Sequence, residues 1–279
     1  MRRTTLLLIV LCASLGVGAA EYSNVAPLFS VSSGARSLGM GGTFCAISDD
    51  EGAVFHNPAG LGWFKGVGVS SMAAQLFGGV FYGNVTLALP YFGLSVMQLD
   101  AGVIPTNDAD LRYASQGLIL ASGIAAGPLG IGVRWKVFRH RDPFESLGWA
   151  IDPSLLVATE NIRVGVVLEN PISHAIAFAD GHEEPWETSL RLGTAIVLRP
   201  MSGVRWQAAF EASGLFGVRP ALSGGIEAWV GGLAARVGHD GSDATFGLSI
   251  EFGNARVDWA YASRSDLGDS HRVLLAFRF

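Results

Sequence analysis

Residues 130–138 have the sequence Gly-Ile-Gly-Val-Arg-Trp-Lys-Val-Phe, in which an apolar residue occupies every second position. Successive side chains of a strand point to opposite faces, so Ile131 and Trp135 fall on the same face. The opposite face receives Arg134 and Lys136. This period of two predicts a β-strand with one apolar and one polar face.

The same alternation recurs along the chain as far as its last residue. In the segment 271–279 one face carries Val273, Leu275, Phe277 and Phe279, and the other carries Arg272, Leu274, Ala276 and Arg278. Fourteen segments are predicted as strands on this basis: 65–76, 80–89, 92–102, 113–126, 129–139, 146–158, 162–170, 186–198, 204–213, 220–230, 233–239, 244–252, 255–264 and 271–279.

The connections between these segments alternate in length. Those after even-numbered segments are tight, as at Gly127–Pro128 and Gly253–Asn254, whereas the stretches 103–112 and 171–185 are long and polar. Short turns at one end and long loops at the other are typical of outer-membrane barrels. In lipid every backbone N–H and C=O group must be paired, so the sheet must close on itself. We predict an all-β, transmembrane, antiparallel up-and-down β-barrel of about fourteen strands, with twelve as the alternative.

The composition excludes several other classes of protein. Of 279 residues, 49% are hydrophobic and 15% are charged, against a usual charged share of about 25%. The 37 glycines argue against a helical bundle, because glycine weakens helix interiors. The uncharged stretches 66–99 and 113–133 are interrupted by glycine and proline, which disfavours membrane helices. No basic block exists, so nucleic acid is not an expected partner.

Residues 1–20 have the features of a secretory signal peptide. Arg2 and Arg3 precede an apolar stretch, and Gly18, Ala19 and Ala20 supply the small residues that signal peptidase requires. We therefore expect export and cleavage of this segment, and a location in the bacterial outer membrane. Cys45 is then the one cysteine left, so no intrachain disulfide is expected.

Residues 21–62 do not alternate and are predicted as a unit separate from the barrel, which is assigned to residues 63–279. An aspartate can cap a short helix near 51–55, and Pro58 is expected to end it. The glycines permit close backbone packing. The positions singled out in this segment are Gly34, Arg36, Gly39, Gly41, Gly42, Asp50, Asn57, Pro58 and Gly60.

Two motifs in this segment carry a family resemblance. The run GARSLGMGG (34–42), followed by DDEGAVFHNPAGL (49–61), resembles the N-terminal region of PorV/PorQ-like proteins in the FadL superfamily of outer-membrane transporters. The ending from Asp266 to Phe279 is similar to the ending of PorV-like proteins. His56 departs from the family pattern, since an aromatic residue is usual before the Asn-Pro pair.

This resemblance implies that residues 21–62, here called the hatch, lie in the lumen of a fourteen-stranded barrel. It also implies that the ending, with Arg272, Phe277 and Phe279, is recognised by the outer-membrane assembly machinery. FadL-type relatives pass hydrophobic molecules past the hatch and out through the wall. PorV-type relatives serve type IX protein secretion as a shuttle to the surface attachment complex.

Charged residues occupy the inward positions of the predicted strands. Because buried charges need partners, an ion-paired scaffold is favoured over a pore lined by unpaired charges. The principal lumen positions are Arg134, Lys136, Asp152, Arg191, Arg205, Glu211, Glu227, Arg236, Glu251, Arg256 and Asp258.

No enzyme motif is present, so no catalytic residue, metal site or cofactor is predicted. His174 and the run His182-Glu183-Glu184 lack the spacing of metal ligands and are interpreted as a solvated loop. Three functions follow from the sequence: a channel or binding protein for small hydrophobic molecules, a PorV-like component of type IX secretion, and a sealed structural barrel. The expected partners are outer-membrane lipid, the assembly machinery, and either hydrophobic small molecules or secretion-system proteins.

Overall fold

The computed structural model describes residues 27–279 apart from 32–33, 77–78, 106–109, 143, 179–180, 182, 218–219 and 264–267. The predicted signal peptide and His182 lie outside the described residues. No helix within the described ranges is long and apolar enough to cross a membrane.

The described chain begins with short helices and continues as strands. The helical elements are α1 (Pro27–Ser30), α2 (Ala35–Gly39), α3 (Ala53–His56) and a 3₁₀ helix (Pro58–Trp63). The strands are β1 (Gly68–Leu76), β2 (Val80–Leu89), β3 (Phe92–Pro105), β4 (Asp110–Ala126), β5 (Leu129–Asp142), β6 (Phe144–Ala158), β7 (Ile162–Glu169), β8 (Ile172–Ala177), β9 (Glu183–Glu184), β10 (Ser189–Met201), β11 (Val204–Leu215), β12 (Ala221–Val230), β13 (Leu233–His239), β14 (Ala244–Phe252), β15 (Ala255–Ala262) and β16 (Ser270–Arg278).

Fourteen of these strands form a closed antiparallel barrel. Strands β1–β7 and β10–β16 pair in ring order, and β1 closes the ring against β16, with Val69 opposite Phe277. The predicted fold class and the count of fourteen strands are confirmed, and the alternative of twelve is wrong. The pattern succeeded because most neighbouring strands are joined by short local connections, and a local period of two sets both faces.

Strands β8 and β9 lie outside this ring, within the stretch 171–185 that was predicted to be a loop. β8 pairs with the N-terminal half of β6, with Ile172 opposite Ile151, and also pairs with β9. The chain turns between β7 and β8 at Asn170, which has a φ of 58° and precedes Pro171. β8 has six residues and β9 only two, so neither is long enough to show an alternation that would have predicted it. The interpretation of Glu183 and Glu184 as solvated loop residues is therefore corrected.

The strands on the long-loop side are also longer than predicted. β3, β4, β5 and β6 extend into the stretches 103–112 and 140–145, which were predicted to be loops. The extra residues pair with each other across the two hairpins, as Ile104 does with Leu111. Polar hairpin ends outside an apolar layer carry no hydrophobic pattern, which is why the sequence did not mark them.

The two faces of the wall differ in exposure as the alternation predicts. On the outward face, Trp135 is 43% exposed and Leu275 is 41% exposed. On the inward face, Arg134 and Lys136 are each 4% exposed. The apolar core therefore lies inside the barrel, where Leu38 and other helical-segment residues pack against inward wall residues. The outer surface is a continuous apolar belt.

Candidate functional site: the hatch and the barrel lumen

Residues 34–63 lie inside the barrel. Helix α2 packs against β13, β14, β15 and β16, whereas the 3₁₀ helix packs against β4, β5 and β6 on the opposite side. The segment is nearly all buried from Gly34 to Leu61. It therefore fills the lumen from one wall to the other, and the described part of the hatch is the natural candidate for a functional site.

Asn57 connects three parts of the structure. Its Oδ1 accepts a hydrogen bond from the N–H of Ala59 at 3.1 Å and so caps the 3₁₀ helix, with Pro58 at its first position. Its Nδ2 donates to the carbonyl oxygen of Cys45 in the hatch and to that of Leu155 in β6, both at 2.9 Å. A single fully buried amide thus joins the hatch to itself and to the wall.

The expected helix near 51–55 is present but begins differently from the prediction. Helix α3 has Gly52 at its N-cap, without a side-chain hydrogen bond. Asp50 instead accepts a hydrogen bond from the N–H of Gly52 at 2.8 Å, two residues along the chain. Its other oxygen is engaged by Arg36, so the carboxylate cannot reach further into the helix.

Wall glycines allow the backbone of the hatch to touch the backbone of the barrel. A Cβ built on Gly132 of β5 would lie 2.3 Å from the amide nitrogen of Ala59, and one on Gly123 of β4 would lie 2.1 Å from the carbonyl oxygen of Pro58. Real Cβ atoms are not found at such distances, so only glycine fits at these two positions. Both wall glycines face inward, and their place in the alternation was the signal that could have identified them.

The hatch glycines make equivalent approaches. A Cβ on Gly60 would lie 2.1 Å from the carbonyl oxygen of Ser48, and one on Gly41, which has a φ of 70°, would lie 2.4 Å from that of His239. A Cβ on Gly39 would lie 3.0 Å from the Cα of a wall glycine. Gly42 has a φ of 80° in open space, and the carbonyl oxygen of Gly34 accepts from the Ser37 hydroxyl. Close packing therefore explains three of these five glycines.

Arg36 is the centre of the polar contacts on the α2 side of the hatch. Its Nε and Nη2 donate to the two oxygens of Glu227 in β12, at 2.7 and 2.8 Å. Its Nη1 donates to Asp49 at 2.6 Å and to Asp50 at 2.9 Å. A planar guanidinium is suited to this forked geometry. Arg36, 4% exposed, thus ties two hatch carboxylates to the wall.

Wall arginines surround this centre and contact the same carboxylates. Asp49 lies 3.3 Å from Arg163 and 3.5 Å from Arg205. Glu227 also pairs with Arg236 at 2.6 Å. Arg256 lies 3.3 Å from Asp50 and from Glu51 and pairs with Asp258 at 2.9 Å. Arg278 reaches Glu51 at 3.0 Å. Most of the predicted lumen charges of β11–β16 therefore belong to one network, and Glu51, which was not singled out, belongs to it too.

The charges around Asp49 and Asp50 set their protonation. Burial, the largest single influence, would raise the pKa of each carboxyl, but the surrounding arginines, Arg36 foremost, together outweigh it. Arg163 and Arg205 add to the effect at Asp49, and Arg256 adds to it at Asp50, so the pKa of each lies below its usual range. Both side chains are anionic at neutral pH, and the ion-paired interpretation of the lumen charges fits these positions.

A second polar network lies at the junction of β5, β6, β7 and β10. Arg134 and Lys136 contact Asp152 at 2.5 and 2.8 Å, and Arg134 also reaches Glu169 at 3.0 Å. Arg191 pairs with Glu211. Asn170 lies where the chain leaves β7. Its Oδ1 accepts a hydrogen bond from the Nζ of Lys136, and its backbone N–H donates to the carboxylate of Asp152.

Glu211 connects this second network to the hatch. Its Oε2 accepts hydrogen bonds from the N–H groups of Phe44 and Cys45, at 3.0 and 2.9 Å. The carboxylate therefore satisfies two hatch donors while its other oxygen pairs with Arg191. Of the predicted lumen charges, Glu251 alone is exposed, at the short-turn mouth of the barrel.

The side chains of His56 and Cys45 are both buried in the hatch, and the Sγ of Cys45 lies 3.9 Å from the Nδ2 of Asn57. Neither ring nitrogen of His56 has a hydrogen-bond partner in the described part of the chain, and its ring lies 5.2 Å from that of Phe44. Burial lowers the pKa of His56 well below its usual range, and Arg191 and Arg134 act in the same direction, so the imidazole is neutral. Burial likewise raises the pKa of the Cys45 thiol, which makes it unreactive in the closed hatch.

The C-terminal residues complete the barrel at the short-turn mouth. The N–H of Phe279 donates to the carbonyl oxygen of Val67 at 2.8 Å, and the N–H of Val67 donates back at 2.9 Å. Phe277 and Phe279 face outward, 39% and 70% exposed, whereas Arg272 is buried on the inward face. Recognition of this ending by an assembly machinery remains a prediction.

The short-turn mouth opens into a vestibule of about 640 Å³. Its floor is formed by Arg36, Asp49 and Asp50 of the hatch, and its rim by the turns at Gly203 and Gly231. Within the described residues, no group of three or more His, Cys, Asp and Glu side chains is arranged to hold a metal ion.

Comparisons with known proteins give a fold but no sequence family. Neither a protein-family model nor a curated protein matches the chain. Among solved structures, it is similar to the CymD monoaromatic hydrocarbon channel, with a TM-score of 0.60 and 13% identity over 88% of this chain and 97% of that one.

Two further structures show the same architecture. A mutant of the TodX monoaromatic hydrocarbon channel matches with a TM-score of 0.55 and 13% identity, over 88% of this chain and 97% of that one. A FadL homologue of Pseudomonas aeruginosa matches with a TM-score of 0.50 and 9% identity, over 88% of this chain and 98% of that one. The chain therefore shares the overall fold of these barrel structures.

Proposed function

We propose that this protein is an outer-membrane channel for small hydrophobic molecules. The observation that carries the proposal is a closed fourteen-stranded barrel with an apolar outer belt and a lumen filled by a hatch. The apolar belt fits a hydrocarbon environment. Closure of the sheet also leaves no strand edge unpaired in lipid. The fold that it shares with hydrocarbon channels supports the choice of cargo.

Passage through this barrel requires the hatch to move. The backbone of the hatch touches the wall at Gly132, and Arg36 binds Glu227 across the lumen. A hydrophobic molecule would therefore have to displace part of the hatch from the wall.

The second candidate is a PorV-like role in type IX secretion. It is favoured by the GARSLGMGG and DDEGAVFHNPAGL motifs, whose resemblance to PorV/PorQ-like proteins covers the hatch. In that case the barrel would bind secreted proteins and would have no need to open its lumen. Movement of the hatch during uptake therefore separates the two functions.

A reversible crosslink between hatch and wall tests the channel. A Cβ built on Gly193 of β10 would lie 3.2 Å from the Cβ of Cys45, slightly closer than the usual separation of about 3.5–4.5 Å in disulfides. A Gly193→Cys variant should therefore form a disulfide with Cys45 when it is oxidised during folding, before the hatch encloses the thiol. The matched control is Gly193→Ser, which adds similar bulk and cannot crosslink.

Uptake of radiolabelled toluene is measured in cells that lack other hydrocarbon channels. We expect oxidised Gly193→Cys to lose uptake and reductant to restore it, while Gly193→Ser is insensitive to both treatments. Equal uptake by the oxidised and reduced forms would contradict a route past the hatch. No uptake above empty cells by the unmodified protein would contradict the hydrocarbon channel itself and leave the secretion role as the better candidate.

A further inference from the structure

The vestibule at the short-turn mouth has an unequal supply of hydrogen-bond donors and acceptors. Its volume of about 640 Å³ lies within the usual range of about 300–1,000 Å³ for small-molecule sites. Five arginines line it, against three carboxylates. The arginines are Arg36, Arg199, Arg205, Arg256 and Arg278, and the carboxylates are Asp49, Asp50 and Glu251.

The carboxylates of the floor are already engaged, whereas some of the arginines are not. Asp49 and Asp50 accept short hydrogen bonds from Arg36, at 2.6 and 2.9 Å. Arg205 contacts acids only at 3.2 and 3.5 Å, and its side chain is 27% exposed. Guanidinium groups with weakly used donors therefore face the open volume, and the acids beneath them have little capacity left.

Arg199 lies at the same mouth. It follows the buried Val197 by two residues, so the alternation along β10 places it on the inward face. The register between β10 and β11 shifts beside it, between Leu198 and Met201. Apart from one hydrogen bond to the carbonyl oxygen of Glu160, at 3.2 Å, the guanidinium of Arg199 makes no polar contact with a described residue.

Trp229 places a buried hydrogen-bond donor at the same vestibule. It lines the vestibule, is 8% exposed, and its indole N–H has no hydrogen-bond partner among the described residues. The ring lies between the guanidiniums of Arg205 and Arg236, at 5.6 and 5.5 Å. A buried indole N–H usually finds an acceptor. The charged groups nearest its ring, Arg205 and Arg236, are donors themselves, so the indole N–H is available to an acceptor that enters the vestibule.

We propose that the vestibule binds an oxyanion, the carboxylate or phosphate group of a small molecule, between Arg199, Arg205 and Trp229. Two guanidinium forks can bind the oxygens of such a group, and the indole N–H donates to the same oxygens. Met201 and Val204, beside the arginines, offer apolar contact to the remainder of the molecule. This site does not depend on the proposed channel function, because binding at the mouth requires no passage through the lumen.

Calorimetric titration of the full-length barrel in an uncharged detergent tests the site. The probes are benzoate, inorganic phosphate and benzamide, which is a neutral analogue of benzoate. We expect one equivalent of benzoate or phosphate to bind, more weakly as salt is raised, and benzamide to bind at least tenfold more weakly than benzoate. The stronger of the two anions identifies the group that the site prefers.

Two variants and a control locate the binding. Arg205→Gln should weaken binding about tenfold, as expected for loss of a charged hydrogen bond. Trp229→Phe keeps the ring and removes the N–H, and should weaken it about threefold to tenfold. Lys65→Gln removes an exposed charge near the same mouth and should change the affinity less than twofold.

Equal affinities for benzoate and benzamide would overturn the proposal, as would unchanged binding of the anion in both variants. Retained binding in Trp229→Phe together with loss in Lys65→Gln would place the anion elsewhere and equally overturn it. A negative titration says nothing about toluene uptake, and an absence of uptake says nothing about binding of the anion. The two proposals can therefore be rejected separately.

Discussion

The two sides of the hatch are attached to the wall by different physical means. On the α2 side, here called the charged side, Arg36 and the acidic pair Asp49 and Asp50 are held by ion pairs to the charged strands β11–β16. On the opposite side, here called the glycine side, the 3₁₀ helix lies directly against wall glycines, and Asn57 supplies neutral hydrogen bonds. Ion pairs respond to pH, whereas steric contact does not. The two attachments should therefore differ in their response to pH and to substitution.

The rate at which the buried Cys45 thiol is labelled measures release of the hatch from the wall. The thiol is enclosed in the closed hatch and lies between the two sides. Labelling therefore requires the hatch to leave the wall, and each change of 1.4 kcal/mol in the opening free energy changes the rate about tenfold. The first three predictions use this measurement on protein refolded into liposomes.

The largest effect is expected on the charged side. Arg36→Met leaves Glu227 in the wall without its bidentate partner, and breaking a buried ion pair in this way costs about 3–5 kcal/mol. Labelling of Cys45 should accelerate at least about a hundredfold. Lys65→Met, which removes an exposed cation, is the control and should be neutral. An acceleration below about fivefold would mean that the hatch is held by the glycine side alone.

A smaller effect is expected on the glycine side. In Gly132→Ala the new Cβ would lie 2.3 Å from the amide nitrogen of Ala59, so either the hatch or β5 must shift, at about 1–3 kcal/mol. The matched control is Gly224→Ala in β12, where the nearest atoms are 3.7 Å away. Faster labelling in the first variant and not in the second would support the comparison. Equal rates in the two variants would refute tight packing at Gly132.

A substitution at His56, which lies between the two sides, is expected to stabilise the closed hatch. His56→Phe replaces a buried ring whose two nitrogens have no partner among the described residues, and it should slow labelling by an amount equivalent to about 1–2 kcal/mol. The new ring can pack on Phe44, which already lies 5.2 Å from the imidazole. His56→Gln keeps two polar atoms in the same place and should bring no gain. A faster rate in His56→Phe would indicate that the imidazole has a polar role in the closed hatch.

The smallest expected effect is a loss of hydrogen-exchange protection at low pH that is limited to the charged side. The folded-state pKa of Asp49 lies below its ordinary value of 3.8, so its contribution is complete above that pH and is lost as the pH falls below it. Hydrogen exchange, corrected for intrinsic rates, should show amides near Asp49 losing protection below about pH 4. Amides near Asn57 should change less. Asp49→Asn should cost about 1 kcal/mol at pH 7 and flatten this acid dependence.

Much of the barrel could be predicted because its signals are local. The alternation around Arg134 and the tight turn at Gly253 each involve residues close in sequence, and they gave the fourteen strands and both faces of the wall. The pair β8 and β9 could not be predicted in this way, because the two strands are short and pair outside the ring of fourteen. Likewise, that the His56 nitrogens meet no partner among the described residues depends on neighbours that no spacing reveals.

The sequence by itself determined a closed β-barrel with an apolar exterior, since a period of two and alternating turn lengths admit few other folds. Only the tertiary structure decided which charges meet. Arg36 and Glu227 are 191 residues apart, and the inward faces offer many other acids and arginines. The register of each strand and the path of the hatch select one set of pairs from these. The same placement brings Trp229 between two guanidiniums, because burial and pairing depend on distances between segments and not on their order.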